Sequence, residues 1–360
     1  MTYIAEEMRE IMASLGIKTI DELVGRSDLL TQRVTTNEKA NSIDLSSVLY
    51  RPANTNEQQQ IKQVEQNHKL DQSLDVRELL EQAQLAIEKG ETVSYQTTIR
   101  NTDRVVGTIV GSEVSKAFGS AGLNEHTIQF RFTGSAGQSF GAFIPKGVTL
   151  TLEGDANDYT GKGLSGGQIN VYPPKEATFV AKDNVIIGNT SFYGATSGKA
   201  FIAGQAGERF GVRNSGAQVV IEGMGDHGLE YMTGGICINL GNVGKNFAAG
   251  MSGGTAYVYD LDTSIAEKSN HEMILLESLA ANDETLVKSL IEEHVCFTNS
   301  THGEMILANW EEQKQHFVKI IPKDYKQMLS AIERRKQEGL NDDEAALAAF
   351  DEKITKLSNV

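Results

Sequence analysis

Few side chains in this 360-residue chain could carry chemistry, and each has a plainer reading beside it. His227 stands between glycines in GDHGLEY, next to Asp226 and Glu230, where an imidazole could move a proton. A histidine at a glycine corner more often hydrogen-bonds the backbone, and that is the expectation here. Glu153, Asp155 and Asp158 in LEGDAND offer oxygens to a cation, yet they lack the ligand spacing of a calcium loop, and acidic turn residues explain them better. Cys237 and Cys296 are the only thiols, too few and too far apart for a disulfide framework or a cysteine-ligated cluster, which suits a reducing cytoplasm. Cys237 falls at a core position of a strand, Cys296 in IEEHVCF reads as helix packing, and Trp310 in ANWEEQ reads as a helix anchor. Glycines at Gly161-Lys-Gly163, Gly223-Met-Gly225 and Gly198-Lys199 raise a phosphate cradle. None completes one, because a Walker loop needs Ser or Thr after the lysine and a helix beyond, whereas these glycines lead into strands. No catalytic, cofactor-binding or metal-binding residue is therefore assigned.

The glycines have a different explanation. Of 35, 26 fall between Gly134 and Gly254, a third of the chain. Lys146-Gly147, Ser165-Gly166, Ser197-Gly198, Ser215-Gly216, Thr233-Gly234 and Ser252-Gly253 recur at separations of 19, 32, 18, 18 and 19 residues, so the chain repeats itself. The long interval holds VYPPKEATFVAKDN, where Pro173-Pro174 breaks any strand, and reads as one repeat plus an inserted loop. An alternating run follows each glycine: VTLTL, GQINVY, KAFIA, AQVVI, GICINL, GTAYVY. Three residues past the glycine lie Leu150, Ile169, Phe201, Val219, Cys237 and Ala256; five past it lie Leu152, Val171, Ala203, Ile221 and Val258, with Asn239 the polar exception. An inward column is expected there. The doubled glycines at Gly234-Gly235 and Gly253-Gly254 leave open a register shift that would turn Ile238 and Leu240, or Tyr257 and Tyr259, inward instead. A second phrase precedes each Ser-Gly: GQSFGAF, GERFGVR, GKNFAAG and the looser GNTSFYG. This period, with several short strands and glycine corners, predicts a mainly β fold, a parallel β-helix whose coils stack about 4.8 Å apart.

The flanks differ in character. Residues 1 to 25 show helical spacing at Ile4, Met8, Ile11, Met12 and Leu15, a stop at Gly16, and a capping box at Thr19-Ile-Asp-Glu22, together predicting a helical hairpin. Residues 27 to 70 read as polar and loop-rich, and Ser73 to Glu88 as an amphipathic helix ended by Gly90. VSYQTTI, VVGTIVG and HTIQFRF read as strands; beyond Asp260 HEMILLESLA, ETLVKSLIEEHV, GEMILANWEEQKQHF and KDYKQMLSAIERRKQ read as helices able to cover an open β edge. The net charge of −15 makes nucleic acid and anionic membrane poor partners. MTYIAEEMRE has no secretory character and no stretch approaches 18 consecutive apolar residues, so neither a signal nor a membrane span is expected.

GSAGQSFGAF (134 to 143), LEGDANDYTGKGLSGGQINVYPP (152 to 174), GERFGVRNSGAQVVIEG (207 to 223), GDHGLEYMTGGICINLG (225 to 241) and NFAAGMSGGTAYVYD (246 to 260) together resemble the C-terminal glycine-repeat domain of the glutamate synthase large subunit. EEMREIMASLGIKTIDELVGR (6 to 26) resembles the segment closing the FMN-binding barrel of that family, and NTDRVVGTIVGSEVSKAFG and FVKIIPKDYKQML fit it too. The resemblance implies a right-handed β-helix with helical flanks, divided as a barrel remnant (1–26), a linker with its helix (27–90), the repeats (91–260) and a helical C-terminal region (261–360). It implies a cytoplasmic complex making glutamate from glutamine and 2-oxoglutarate. The family's N-terminal cysteine nucleophile and its iron-sulfur cysteines have no counterpart here, where Met1-Thr2 opens the chain. FMN and the cluster are accordingly expected in partner domains, none in this chain. The implied role is a scaffold docking to the FMN-barrel and glutaminase portions, with Lys162 and Arg213 expected to face the barrel, the small electron-donating subunit a further candidate partner, and oligomers expected. Two readings compete: a glycine-repeat subunit of another oxidoreductase such as formylmethanofuran dehydrogenase, and an orphan module binding sugars on exposed aromatics.

Overall fold

The structure, a computed structural model, describes residues 1–52 and 60–358, with 355–358 as backbone only. Part of the loop-rich reading of 27 to 70 lies outside the described residues. The chain packs as two units, Met1–Lys69 and Leu70–Val360.

In the first unit the expected helix spans Thr2–Ser14, and Gly16 (φ 71°) follows its end. The predicted capping box is shifted by one residue. Thr19 Oγ1 accepts from the Glu22 N–H at 3.2 Å, but the Glu22 carboxylate reaches back to the Lys18 N–H at 2.9 Å rather than to that of Thr19. The helix it starts is only Ile20–Leu23.

The second unit is built on one twelve-stranded sheet: β1 Val93–Ile99, β2 Ile128–Ala136, β3 Val148–Ala156, β4 Ser165–Tyr172, β5 Val185–Ile187, β6 Ser197–Ile202, β7 Gln205–Ala206, β8 Ser215–Ile221, β9 Thr233–Asn239, β10 Gly253–Tyr259, β11 Ile274–Ser278 and β12 Phe317–Pro322. The main order is β1-β2-β3-β4-β6-β8-β9-β10-β12-β11, with β5 bridging β3 and β7 to the side. Pairing is parallel through β10; β12 then adds antiparallel to β10, and β11 to β12.

This overturns the expectation of a mainly β protein built as a right-handed β-helix: the strands form a mostly parallel sheet, and helices cover more of the chain than strands do. The physical reason lies in the second phrase of each repeat. It holds three residues at positive φ, a geometry no strand accommodates. Each of those repeats therefore gives one long strand and a stacked turn, with only the short β5 and β7 added in two of them.

Three local expectations are also corrected. VVGTIVG is not a strand: a helix runs from Thr108 to Phe118. Gly107 at φ 92° stops the β-branched run, and the buried Asp75 carboxylate accepts from the N–H groups of Gly107 (2.8 Å), Ile109 (2.8 Å) and Val110 (3.2 Å), capping the helix from 32 or more residues away. HEMILLESLA is not a helix; its centre is β11, and with β12 it covers the parallel edge that helices were expected to cover. The inward column holds at Leu150, Ile169, Val219, Cys237 and Ala256 but not at Phe201. The pairing runs Ser165 to Ser197 and then Gln168 to Lys199, because one glycine in the third repeat faces the doubled Gly166-Gly167. Ala200 and Ile202 take the column, and Phe201 and Ala203 leave it.

From β4 to β10 both faces of the strands are largely buried, as parallel sheets require, whereas the outer faces of β1 and β2 are part-exposed. The column faces a cluster completed by Phe140, Phe192, Phe210, Leu229 and Phe247 from the turns. On the other face Phe201, Val220, Ile238, Leu240, Tyr257 and Tyr259 meet Val287, Leu290 and Ile291 of helix Ala281–Thr298, with Ile306 and Trp310 beyond. Ile238, Leu240, Tyr257 and Tyr259 thus belong to the helix side, and the doubled glycines at 234 and 253 do not displace Cys237 or Ala256 from the column.

Candidate functional site

The phrases GQSFGAF, NDYTGKG, GNTSFYG, GERFGVR, GDHGLEY and GKNFAAG fold alike. In each, three alternate residues lie at φ between 54° and 68°, as in Ser139, Gly141 and Phe143 or His227, Leu229 and Tyr231. The middle residue points into the core; Phe192, Leu229 and Ala248 are buried there. The outer two form parallel rows. One row runs Ser139, Tyr159, Thr190, Arg209, His227, Asn246, and the other Phe143, Gly163, Gly194, Arg213, Tyr231, Gly250. Each rung bonds to the next through backbone N–H to carbonyl contacts of 2.7 to 2.9 Å, so the backbone polar groups that such turns would orphan are satisfied between repeats.

The Ser-Gly corners stack in the same way. A Cβ on Gly216 would stand 2.1 Å from the Thr196 carbonyl oxygen, and one on Gly253 2.1 Å from that of Thr233, so close approach rather than positive φ demands glycine there. The corners floor a cleft of ≈ 470 Å³ walled by Glu125, His126, Lys146 and, from helix Ala281–Thr298, Glu293 and Phe297. Lys199 spans it, its Nζ 2.6 and 2.9 Å from the two Glu293 oxygens. With both charge signs on its walls, the cleft has room for a small polar molecule, but its glycines are explained by the stacking alone.

The candidate residues do not converge. His227 occupies a left-handed corner as expected, but its Nδ1 lies 2.8 Å from Glu230 Oε1 instead of a backbone group. Asp158 alone fits the turn reading, accepting from the Asn189 N–H at 2.8 Å; Glu153 and Asp155 lie on β3, where Asp155 accepts from its register partner Ser135 Oγ at 2.7 Å and Glu153 from the Lys175 N–H at 3.2 Å, three separate contacts. Among the described residues no group of three or more His, Cys, Asp or Glu is placed to hold a metal ion. Cys237 is enclosed in the column, and burial pushes its thiol up to about 12, far from nucleophilic. Cys296 corrects the packing expectation: it sits on the exposed side of its helix. Trp310 is buried 5.9 Å from the Phe317 ring, an anchor as read from the sequence. Lys162 lies over the Tyr159 ring at 5.5 Å, and Arg213 is in the outer turn row.

Two buried networks escaped sequence reasoning. Glu222, just past β8, accepts from His294 (Nε2 at 3.2 Å) and from the Ser300 hydroxyl, while Ser300 Oγ accepts from the Gly303 N–H at 2.9 Å and so caps helix Thr301–Ala308. A carboxylate between serine and imidazole cannot activate the serine as a triad does; it ties helices to the sheet. The signal was there in AQVVIE, an acid ending an apolar run. The other network joins Tyr257 Oη and Lys319 Nζ to Asp283, at 2.7 and 2.9 Å, and Asp283 also accepts from the Ala280 N–H at 3.0 Å. Burial pushes the Asp283 carboxyl up, yet the Lys319 and Tyr257 hydrogen bonds outweigh it and hold the group below the ordinary aspartate range.

Known proteins share this pattern. A family model described as the GXGXG motif matches residues 71–323. Over 98% of its length the chain is 55% identical to the glutamate synthase [NADPH] large chain of Bacillus subtilis, covering 23% of that protein. It is 46% identical over 93% of its length to the glutamate synthase [NADH] of Schizosaccharomyces pombe, covering 16% of it. With the ferredoxin-dependent glutamate synthase 2 of Synechocystis it shares 44% identity over 89% of its length and 21% of the relative's. The chain thus spans less than a quarter of these relatives. Its glycine corners and left-handed turns all lie inside the stretch that the family model covers, and the chain belongs to the GXGXG motif family.

Proposed function

We propose that this chain is the structural part of a glutamate synthase, docking to FMN-barrel and glutaminase portions that convert glutamine and 2-oxoglutarate to glutamate, with none of the active sites on this chain. The carrying observation is that relatives named for NADPH, NADH and ferredoxin all match it along most of its length. A part common to three electron donors serves what those enzymes share and not the choice of donor. The chain's own residues suit a scaffold. Cys237 is sealed in the core and so is no candidate ligand for a cluster, and the glycine corners open strands with N–H groups bonded to the neighbouring corner, such as Thr233 to the Asn214 carbonyl at 2.9 Å. FMN and an iron-sulfur cluster accordingly belong, in this reading, to the partner portions. Among the described residues no helix is long and apolar enough to cross a membrane.

The test is reconstitution. Supplied with glutamine, 2-oxoglutarate and a reductant, separately produced FMN-barrel and glutaminase portions should convert 2-oxoglutarate to glutamate with glutamine-derived ammonia only when this chain is added, and the chain alone should release no ammonia from glutamine and bind no FMN. Either activity in the isolated chain would remove the scaffold reading.

A further inference from the structure

Within the outer row of turns the molecule contains its own comparison. Six equivalent left-handed positions carry Phe143, Gly163, Gly194, Arg213, Tyr231 and Gly250. Glycine meets the geometry without strain, and half of the rungs use it. Phe143 and Tyr231 do not: bulky residues at φ 60° and 54° are strained, and they are 53% and 57% exposed, so burial does not repay the strain. Neither ring is loose. A Cβ on Gly163 would stand 2.4 Å from the Phe143 ring, and one on Gly250 2.6 Å from the Tyr231 ring, so each ring lies against the bare backbone of the next rung. The two aromatics are thus fixed about 19 Å apart along the stack, four rungs at about 4.8 Å each. Between them Arg213 and, in the neighbouring row, Arg209 are exposed, and neither guanidinium has a hydrogen-bond or ion-pair partner among the described residues. Unpaired arginines beside rigid exposed aromatics, on a chain of net charge −15, match the composition of protein-binding hot spots.

We infer that this turn face, centred on Phe143, Arg213 and Tyr231, is the docking surface for a carboxylate-bearing protein surface with an apolar centre, supplied by the remaining portions of the synthase. The inference rests on the scaffold reading for the identity of the partner. Arginine commits it to carboxylates, and the pinned rings commit it to apolar contact at low entropic cost.

The experiment measures binding of the full chain to the separately produced FMN-barrel and glutaminase portions, together with the melting temperature of each variant. Phe143→Gly with Tyr231→Gly, which copies the sister rungs, should leave the melting temperature unlowered while weakening binding about tenfold or more. Arg209→Ala with Arg213→Ala should weaken it and flatten its dependence on salt. Wild-type chain that fails to bind would overturn the scaffold reading and this surface with it. Wild-type binding that both double variants retain would overturn this surface alone. A large fall in melting temperature for the glycine pair would show the rings to be structural, and a self-association of the isolated chain lost in the same variants would assign the face to a second copy; each outcome overturns the inference.

Discussion

The first unit and the repeats display the same kind of apolar periodicity with opposite outcomes. In helix Thr2–Ser14 only Met12 is buried, while Ile4, Met8 and Ile11 of the same stripe are exposed, as is Leu15 after it. In the repeats every column residue from Leu150 to Val258 that the structure keeps in register is buried, and from Phe201 on the opposite face is buried as well. Periodicity states only that a face needs covering. Coverage comes from a partner surface, which the repeats supply to one another at every rung and the C-terminal helices supply behind them. Among its described residues the first unit leaves that stripe largely uncovered, so a substitution there should be nearly silent where one in the repeats is not.

The largest effect should come at a corner. Gly216→Val places a branched side chain against the Thr196 carbonyl and should destabilise the second unit by about 4 kcal/mol, the upper end for one substitution; a thermal melt that did not move would refute the stacking. Asp283→Asn, which leaves Lys319 and Tyr257 without their shared charge, should cost about 3 kcal/mol at neutral pH. Because the folded carboxyl lies below its ordinary value, its stabilisation is complete above the unfolded value of about 3.9 and is lost as pH falls through the lower folded one. The variant should therefore lose that share of the acid limb below about pH 4, read from melts across pH, whereas an unchanged limb would mean the link adds nothing. In the first unit Thr19→Ala should cost about 1 kcal/mol, seen as faster amide exchange over Ile20–Leu23. Ile11→Ser, on the exposed stripe, should change stability by no more than about 0.5 kcal/mol. A large loss at Ile11 would break the contrast between the two units.

Much of the candidate site was legible because it is local. Glycine spacing, the alternating runs and the repeated phrases ending in Ser-Gly are written within each repeat, and Trp310 and Cys237 were read in their places. The rest depended on distant groups. VVGTIVG has strand composition, but Asp75 from another element caps it into a helix. MILLE in HEMILLESLA suits either helix or strand, and β12, whose residues pair with it from 40 to 48 positions on, provides the edge that makes it β11. Cys296 and the Glu222 network required knowing which side of the helix Ala281–Thr298 meets the sheet.

Sequence by itself determined the period of the repeats, the places where glycine must stand, the buried column at five of six rungs and the family resemblance, since each rests on neighbours in the chain. Tertiary structure alone decided that Phe201 turns to the helices, that each phrase is a left-handed turn and not a strand, and that Phe143 and Tyr231 stay in solvent. A strand's register belongs to the pair, so one residue fewer after Ser197-Gly198 exchanges its faces, and a residue's exposure belongs to whatever the rest of the chain brings to cover it.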